Sequence, residues 1–266
     1  MRKLTIFEII LSTLIFIFGV NKININNTSG GAPPYEAEDL NPPEDPLSWI
    51  INWTRPQVPV SVALQVGHWK NSELPQELER LHGNTGASGG NKSEWEVNLQ
   101  IAEFTAKILR EHNIEVDILP STIPPGYWAD VFVAIHADGN TDSSKRGFKL
   151  ATPRRDYTQT ADDLLGSIES EYQLATGFEI DPNVTRNMTG YYAFAWWRYE
   201  HALHPRTTSV ILETGFLTSH LDRKILVDNP EISAQGLANG IIKYLIAQNL
   251  LPAASTAPAE SSTAPS

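Results

Sequence analysis

Three stretches of the chain alternate apolar residues with small or polar ones and then stop at an ionisable side chain. Val58, Val60, Val62, Leu64 and Val66 take every second position ahead of Gly67-His68. In Asp130 to Asp138, Val131, Val133 and Ile135 alternate with Phe132 and Ala134 before His136, and Thr208 to Phe216 reaches Glu213 just ahead of Gly215. Such alternation predicts strands. Each delivers one titratable group at its carboxyl end, the edge where ligands sit in open α/β sheets. Between them the pattern predicts a polar loop over 71–92, a helix from Glu94 to about His112 and a strand from Ile114 to Leu119. Further on it predicts helices around Ala161 to Ala175 and near Tyr191 to His201, and a closing helix from Ala234 to Asn249. The expected fold class is α/β: a single domain over residues 58–250 with an open, mainly parallel twisted sheet flanked by helices on both faces.

The helix that opens at Ser93-Glu94-Trp95-Glu96 carries two glutamates with different tasks. Ser93 and Glu96 have the capping-box spacing, in which each side chain reaches the other's backbone N–H. Glu94 instead falls in register with Val97, Ile101, Phe104 and Ile108, the stripe expected to face the sheet. Taken alone, it reads as a first-turn acid complementing the helix dipole. Beside His68 and His136, a carboxylate turned inward at the sheet's edge calls for a metal ion or another cation.

Composition narrows the possibilities. The 266 residues are 41% hydrophobic and 19% charged, as in a soluble globular protein, and carry a formal charge of −11. That charge, with no basic patch, speaks against a nucleic-acid partner. Without cysteine, a bound metal must use His and carboxylate ligands. Arg2 and Lys3 precede an apolar run from Leu4 to Val20, so residues 1–20 read as a signal peptide or an N-terminal membrane anchor. Residues 21–57 read as an extended linker rich in Asn, Gly, Pro and acids, within which Leu47–Trp53 is apolar enough to dock on the domain. Residues 251–266 read as a low-complexity tail.

Gly67-His68, Glu94 ahead of Asn98-Leu99, Ala134-Ile135-His136-Ala137 and Glu213-Thr214-Gly215-Phe216 occur in that order. Together they make the span from Val58 to Leu250 resemble the zinc-dependent N-acetylmuramoyl-L-alanine amidases of bacterial cell-wall turnover. The resemblance implies that His68, Glu94 and His136 hold one Zn²⁺ per chain, and that Glu213 is the catalytic carboxylate. Two imidazoles and one carboxylate leave a fourth position open, as catalytic zinc requires. The implied reaction is hydrolysis of the amide between N-acetylmuramic acid and L-alanine of peptidoglycan. The implied setting is the bacterial cell envelope outside the cytoplasm, with the N-terminal segment as the membrane contact. The chain departs from the family pattern at five positions, one of them Val66, where the family usually has Pro. Gln65 stands where the family has an acidic residue able to orient the imidazole, Trp69 stands where it has Gly, and Ala134 and Asp138 stand where it often has Ser and Asn.

Two other readings stay open on the sequence: a zinc carboxypeptidase or amidohydrolase acting on another amide, and a non-catalytic wall-binding homologue. His82 in a glycine-rich loop, and His201 and His204 in HALHP, read as ordinary surface or capping histidines. The run Tyr191 to Tyr199 holds more aromatic side chains than one helix face can bury, so part of it is expected as an exposed platform. No HExxH pattern is present.

Overall fold

The computed structural model describes residues 47–253. The apolar run of 1–20, the linker up to residue 46 and the tail from 254 lie outside the described residues. Among the described residues, no helix is long and apolar enough to cross a membrane.

Five strands form one sheet: β1 (Ser61–Val66), β2 (Glu115–Leu119), β3 (Val131–Asp138), β4 (Lys149–Ala151) and β5 (Thr208–Phe216). Their spatial order is β2-β1-β3-β5-β4. The first four in that order pair in parallel and β4 runs antiparallel to β5. The chain moves from β1 outward to β2 and then back across to β3. The crevice at the carboxyl ends of β1 and β3 is therefore a topological switch point, the standard place for a ligand in such sheets.

Period-two alternation sends side chains to two different faces. Val62, Leu64 and Val66 of β1, with Val131, Val133 and Ile135 of β3 and Val210 and Leu212 of β5, form one buried layer. Against it pack the helices α1 (Glu94–Glu111), α2 (Ala161–Thr176), α3 (His220–Leu226) and α4 (Pro230–Ala247), through side chains such as Val97, Ile101, Ile168, Leu226, Leu237 and Ile241. The buried stripe of α1 is Glu94, Val97, Asn98, Ile101, Ala102, Thr105, Ala106 and Leu109. It is rotated from the expected one, and Phe104 is exposed.

Ala63, Phe132, Ala134 and Ile211 point the other way and meet a second core containing Met188, Tyr192, Phe194, Tyr199 and Leu203. This face is covered by short helical turns, Gln76–Leu81, Arg186–Thr189 and Tyr192–Phe194, and by loops between them. The helix expected over 191–201 does not form. A helix would spread these aromatic rings around its circumference, whereas a 3-10 turn followed by tight turns buries Tyr192, Phe194 and Tyr199 together. The Leu203 N–H donates to the Ala193 carbonyl at 2.8 Å and closes the segment. Trp197 is left 46% exposed. The segment Leu47–Trp53 lies on the same side: Trp49 meets Trp196 and His204 edge-on, and Arg206 Nε donates to the Ile50 carbonyl at 2.9 Å.

Candidate metal centre

The three inner strands deliver their ionisable groups to one spot. Gly67 ends β1 by donating to the Ile135 carbonyl at 2.9 Å, and His68 follows in a left-handed conformation, φ 63°. That conformation is uncommon outside glycine and is the kind of local strain held at functional sites. His136 lies on β3 directly opposite Glu213 of β5, and the pairing shifts register just after it, between His136 and Asp138. Bulges of this kind re-aim side chains beside active sites. Glu94 comes from the other side of the sheet, at the first turn of α1. The capping box between Ser93 and Glu96 sets that turn, with the Ser93 N–H donating to Glu96 Oε2 at 2.8 Å.

Glu94 is 3% exposed. Its Oε1 lies 3.0 Å from His136 Nδ1 and 3.4 Å from His68 Nε2, and accepts the Ala137 N–H at 3.1 Å. Its Oε2 accepts the Ala87 N–H at 2.7 Å. One ligand atom from each of His68, Glu94 and His136 falls within 4.8 Å of the others, the only such cluster among the described residues. Two glycines allow this approach. A Cβ at Gly67 would overlap the His136 ring, and one at Gly86, which sits at φ +71°, would overlap the Glu94 carboxylate.

Electrostatics separates the members. Burial works against the charge on Glu94, yet its hydrogen bond to His136, the two imidazoles and the Ala87 N–H together hold its carboxyl below the usual range. For His68 burial prevails and lowers its pKa, against the attraction of Glu94. For His136 burial is outweighed by the Glu94 hydrogen bond and charge, and its pKa rises. Glu213 has no such partner. Burial first, then the nearby Asp138 and Glu94, push its carboxyl up to about 8 against the pull of His136. A cation among the three ligands would draw it back down. Lys149, opposite Glu213 on β4, is tied by ion pairs to Asp138 at 2.5 Å and Asp181 at 3.0 Å.

The family model for N-acetylmuramoyl-L-alanine amidases matches residues 62–243. The chain belongs to that family. Its enzyme class is accordingly that of the N-acetylmuramoyl-L-alanine amidases. The amidase AmiA of Salmonella typhimurium is 28% identical over a match covering 63% of this chain and 74% of that protein. Among solved structures, the amidase from Clostridium difficile 630 superposes with a TM-score of 0.51 at 17% identity, over 71% of this chain and 98% of that one. The amidase Ami1 from Mycobacterium smegmatis gives 0.51 at 14% identity, over the same two shares. At such identities these two likenesses concern the fold.

Within this amidase fold, His68, Glu94 and His136 come together, with Glu213 across the strand pair from His136. The other histidines are elsewhere. His82 Nε2 lies 3.2 Å from the Ser72 carbonyl, and His201 pairs with Glu77 at 2.8 Å. His204 packs between Trp49 and Trp53, where burial lowers its pKa to about 4. Sequence patterns alone did not reveal two residues beside the cluster, Gln65 and Tyr191. The available signal was a lone amide on the face of β1 that otherwise shows Ala63, since a buried amide must find hydrogen-bond partners.

Proposed function

We propose that His68, Glu94 and His136 hold one Zn²⁺ and that Glu213 is the catalytic carboxylate. The reaction is hydrolysis of the amide between N-acetylmuramic acid and L-alanine in peptidoglycan, outside the cytoplasm. The observation that carries the reading is the convergence of two imidazoles and one carboxylate within 4.8 Å at the switch point, with Glu213 opposite His136. The donor set fits the ion: two neutral nitrogens and one charged oxygen, with no thiolate in the chain.

Zinc held there would supply Lewis acidity, polarising the amide carbonyl and acidifying water. The residues do the rest. Glu94 provides the one negative charge of the ligand set and is kept ionised by its N–H donors and the two imidazoles. Glu213 is not among the converging ligand atoms, so its carboxylate is free to exchange protons. It takes a proton from the attacking water as the water oxygen bonds to the carbonyl carbon. It then returns that proton to the L-alanine nitrogen as the carbon–nitrogen bond breaks. A carboxyl whose pKa is raised by its surroundings suits both halves of this exchange.

The test is digestion of purified peptidoglycan by the full chain, with mass analysis of the products. The reading predicts intact stem peptides with a free L-alanine amino terminus and glycan strands with unsubstituted lactyl groups. Peptides shortened from the carboxyl end, with the lactyl amide intact, would assign a carboxypeptidase instead.

A further inference from the structure

We propose that Tyr191, locked by Gln65, decides which ring nitrogen His136 presents to the metal. The inference rests on the metal-centre reading above and assigns a positioning role to two residues outside the ligand set.

The directions of the hydrogen bonds follow from what each group can donate. Gln65 is fully buried on β1. Its Nε2 donates to the Ser121 carbonyl at 2.8 Å and to Tyr192 Oη at 2.7 Å. Tyr192 Oη gives its own proton to the same Ser121 carbonyl, which leaves its oxygen an acceptor toward Gln65. A flipped amide would set an oxygen against that carbonyl, so the orientation is fixed and Gln65 Oε1 must face Tyr191. Tyr191 Oη donates its single proton there, at 2.8 Å.

Only lone pairs remain on the Tyr191 oxygen, and they face His136 Nε2 at 3.5 Å. The arrangement that satisfies every group puts a hydrogen on Nε2. The Nδ1 atom, 3.0 Å from Glu94 Oε1, is then the nitrogen offered to a cation. His68 is the mirror case. Its Nδ1 lies 2.9 Å from the Asn84 carbonyl, which can only accept, and its Nε2 is the atom turned to Glu94. Each imidazole thus has an acceptor behind it that fixes its tautomer, as metal-bound histidines require.

This gives Gln65 a function in place of the acidic residue expected there. The neutral amide and phenol orient the ring without adding a third buried carboxyl next to Glu94 and Glu213. An acid at 65 would lose the amide donors to Ser121 and Tyr192, leaving that carbonyl with one donor fewer in a buried site.

The experiment uses the full chain labelled with ¹⁵N-histidine and loaded with zinc. Long-range ¹⁵N–¹H correlation identifies the protonated nitrogen of each ligand ring, and chelator competition gives the zinc affinity. The expected result is His136 protonated at Nε2 and His68 at Nδ1. Tyr191→Phe and Gln65→Leu should still fill with zinc at saturation but bind it about 10–100-fold more weakly. The wild-type spectrum needs no variant to fold, and His136 coordinating through Nε2 would overturn the proposal. So would a folded Tyr191→Phe protein with wild-type zinc affinity. Either result would leave the metal centre itself standing, whereas a folded wild type that takes up no zinc would remove both.

Discussion

The two faces of the sheet are covered by different kinds of structure, and each supplies the site with something different. On one face, four helices bury aliphatic residues such as Val97, Ile101 and Leu237, and the first of them contributes Glu94 at its capped amino end. On the other face, short turns bury aromatic residues such as Tyr192, Phe194 and Tyr199, and Tyr191 of that layer meets the His136 ring edge-on with centroids 5.7 Å apart. The helical face places Glu94 by the position of a helix end. The aromatic face meets His136 through hydrogen bonds among side chains distant in sequence, with Tyr191 and Gln65 separated by 126 positions. Rigid helix placement tolerates changes away from the cap, whereas a hydrogen-bonded relay fails if one member is lost.

The largest effect is expected at Glu213, the proposed catalytic carboxylate. Glu213→Gln should lower turnover by about 10²–10⁴-fold while zinc content and the thermal stability of the zinc-loaded protein hold. Retained turnover in steady-state assays would remove Glu213 from its role. The next pair compares the faces directly. Ile101→Ala should cost about 2–5 kcal/mol and Phe194→Ala about 3–5 kcal/mol in denaturant unfolding. Only Phe194→Ala should also weaken zinc binding, because Phe194 packs edge-on against Tyr191 with ring centroids 5.6 Å apart. Equal effects on zinc affinity would erase the contrast.

A separate effect follows from proton linkage. In the metal-free protein Glu213 holds its proton more tightly than in the unfolded chain, with a pKa near 8 against 4.5. Its contribution to stability is therefore complete below about pH 4.5 and is lost as pH rises toward about 8. Thermal unfolding in chelator should show wild type falling behind Glu213→Gln across that window; parallel curves would contradict the burial of this carboxyl. Smallest is Trp49→Ala, which removes edge-on contacts to Trp196 and His204. About 1 kcal/mol is expected from unfolding experiments, with no change in turnover.

Much of the helical side was legible in the sequence, because long strands and helices repeat their apolar positions. His68, His136 and Glu213 stood at the ends of alternating runs, and the capping box told Glu94 from Glu96. Three residues of β4 are too few to show alternation, so that antiparallel strand went unread. The short helix α3 was missed for the same reason. The aromatic run was read as a helix because its spacing has no period that separates helix from turns. Its partners, Gln65, Ser121 and Leu203, become visible only once the chain is folded. Gln65 looked like the loss of an acid, and its meaning lay in the two tyrosines it holds.

The central claim is that the two faces meet in one zinc site. The most direct test is the metal content of the purified full chain by elemental mass spectrometry, beside His136→Ala. About one zinc per wild-type chain, lost in a variant that still folds, is the predicted result. A folded wild type without zinc, even after incubation with the ion, would contradict it.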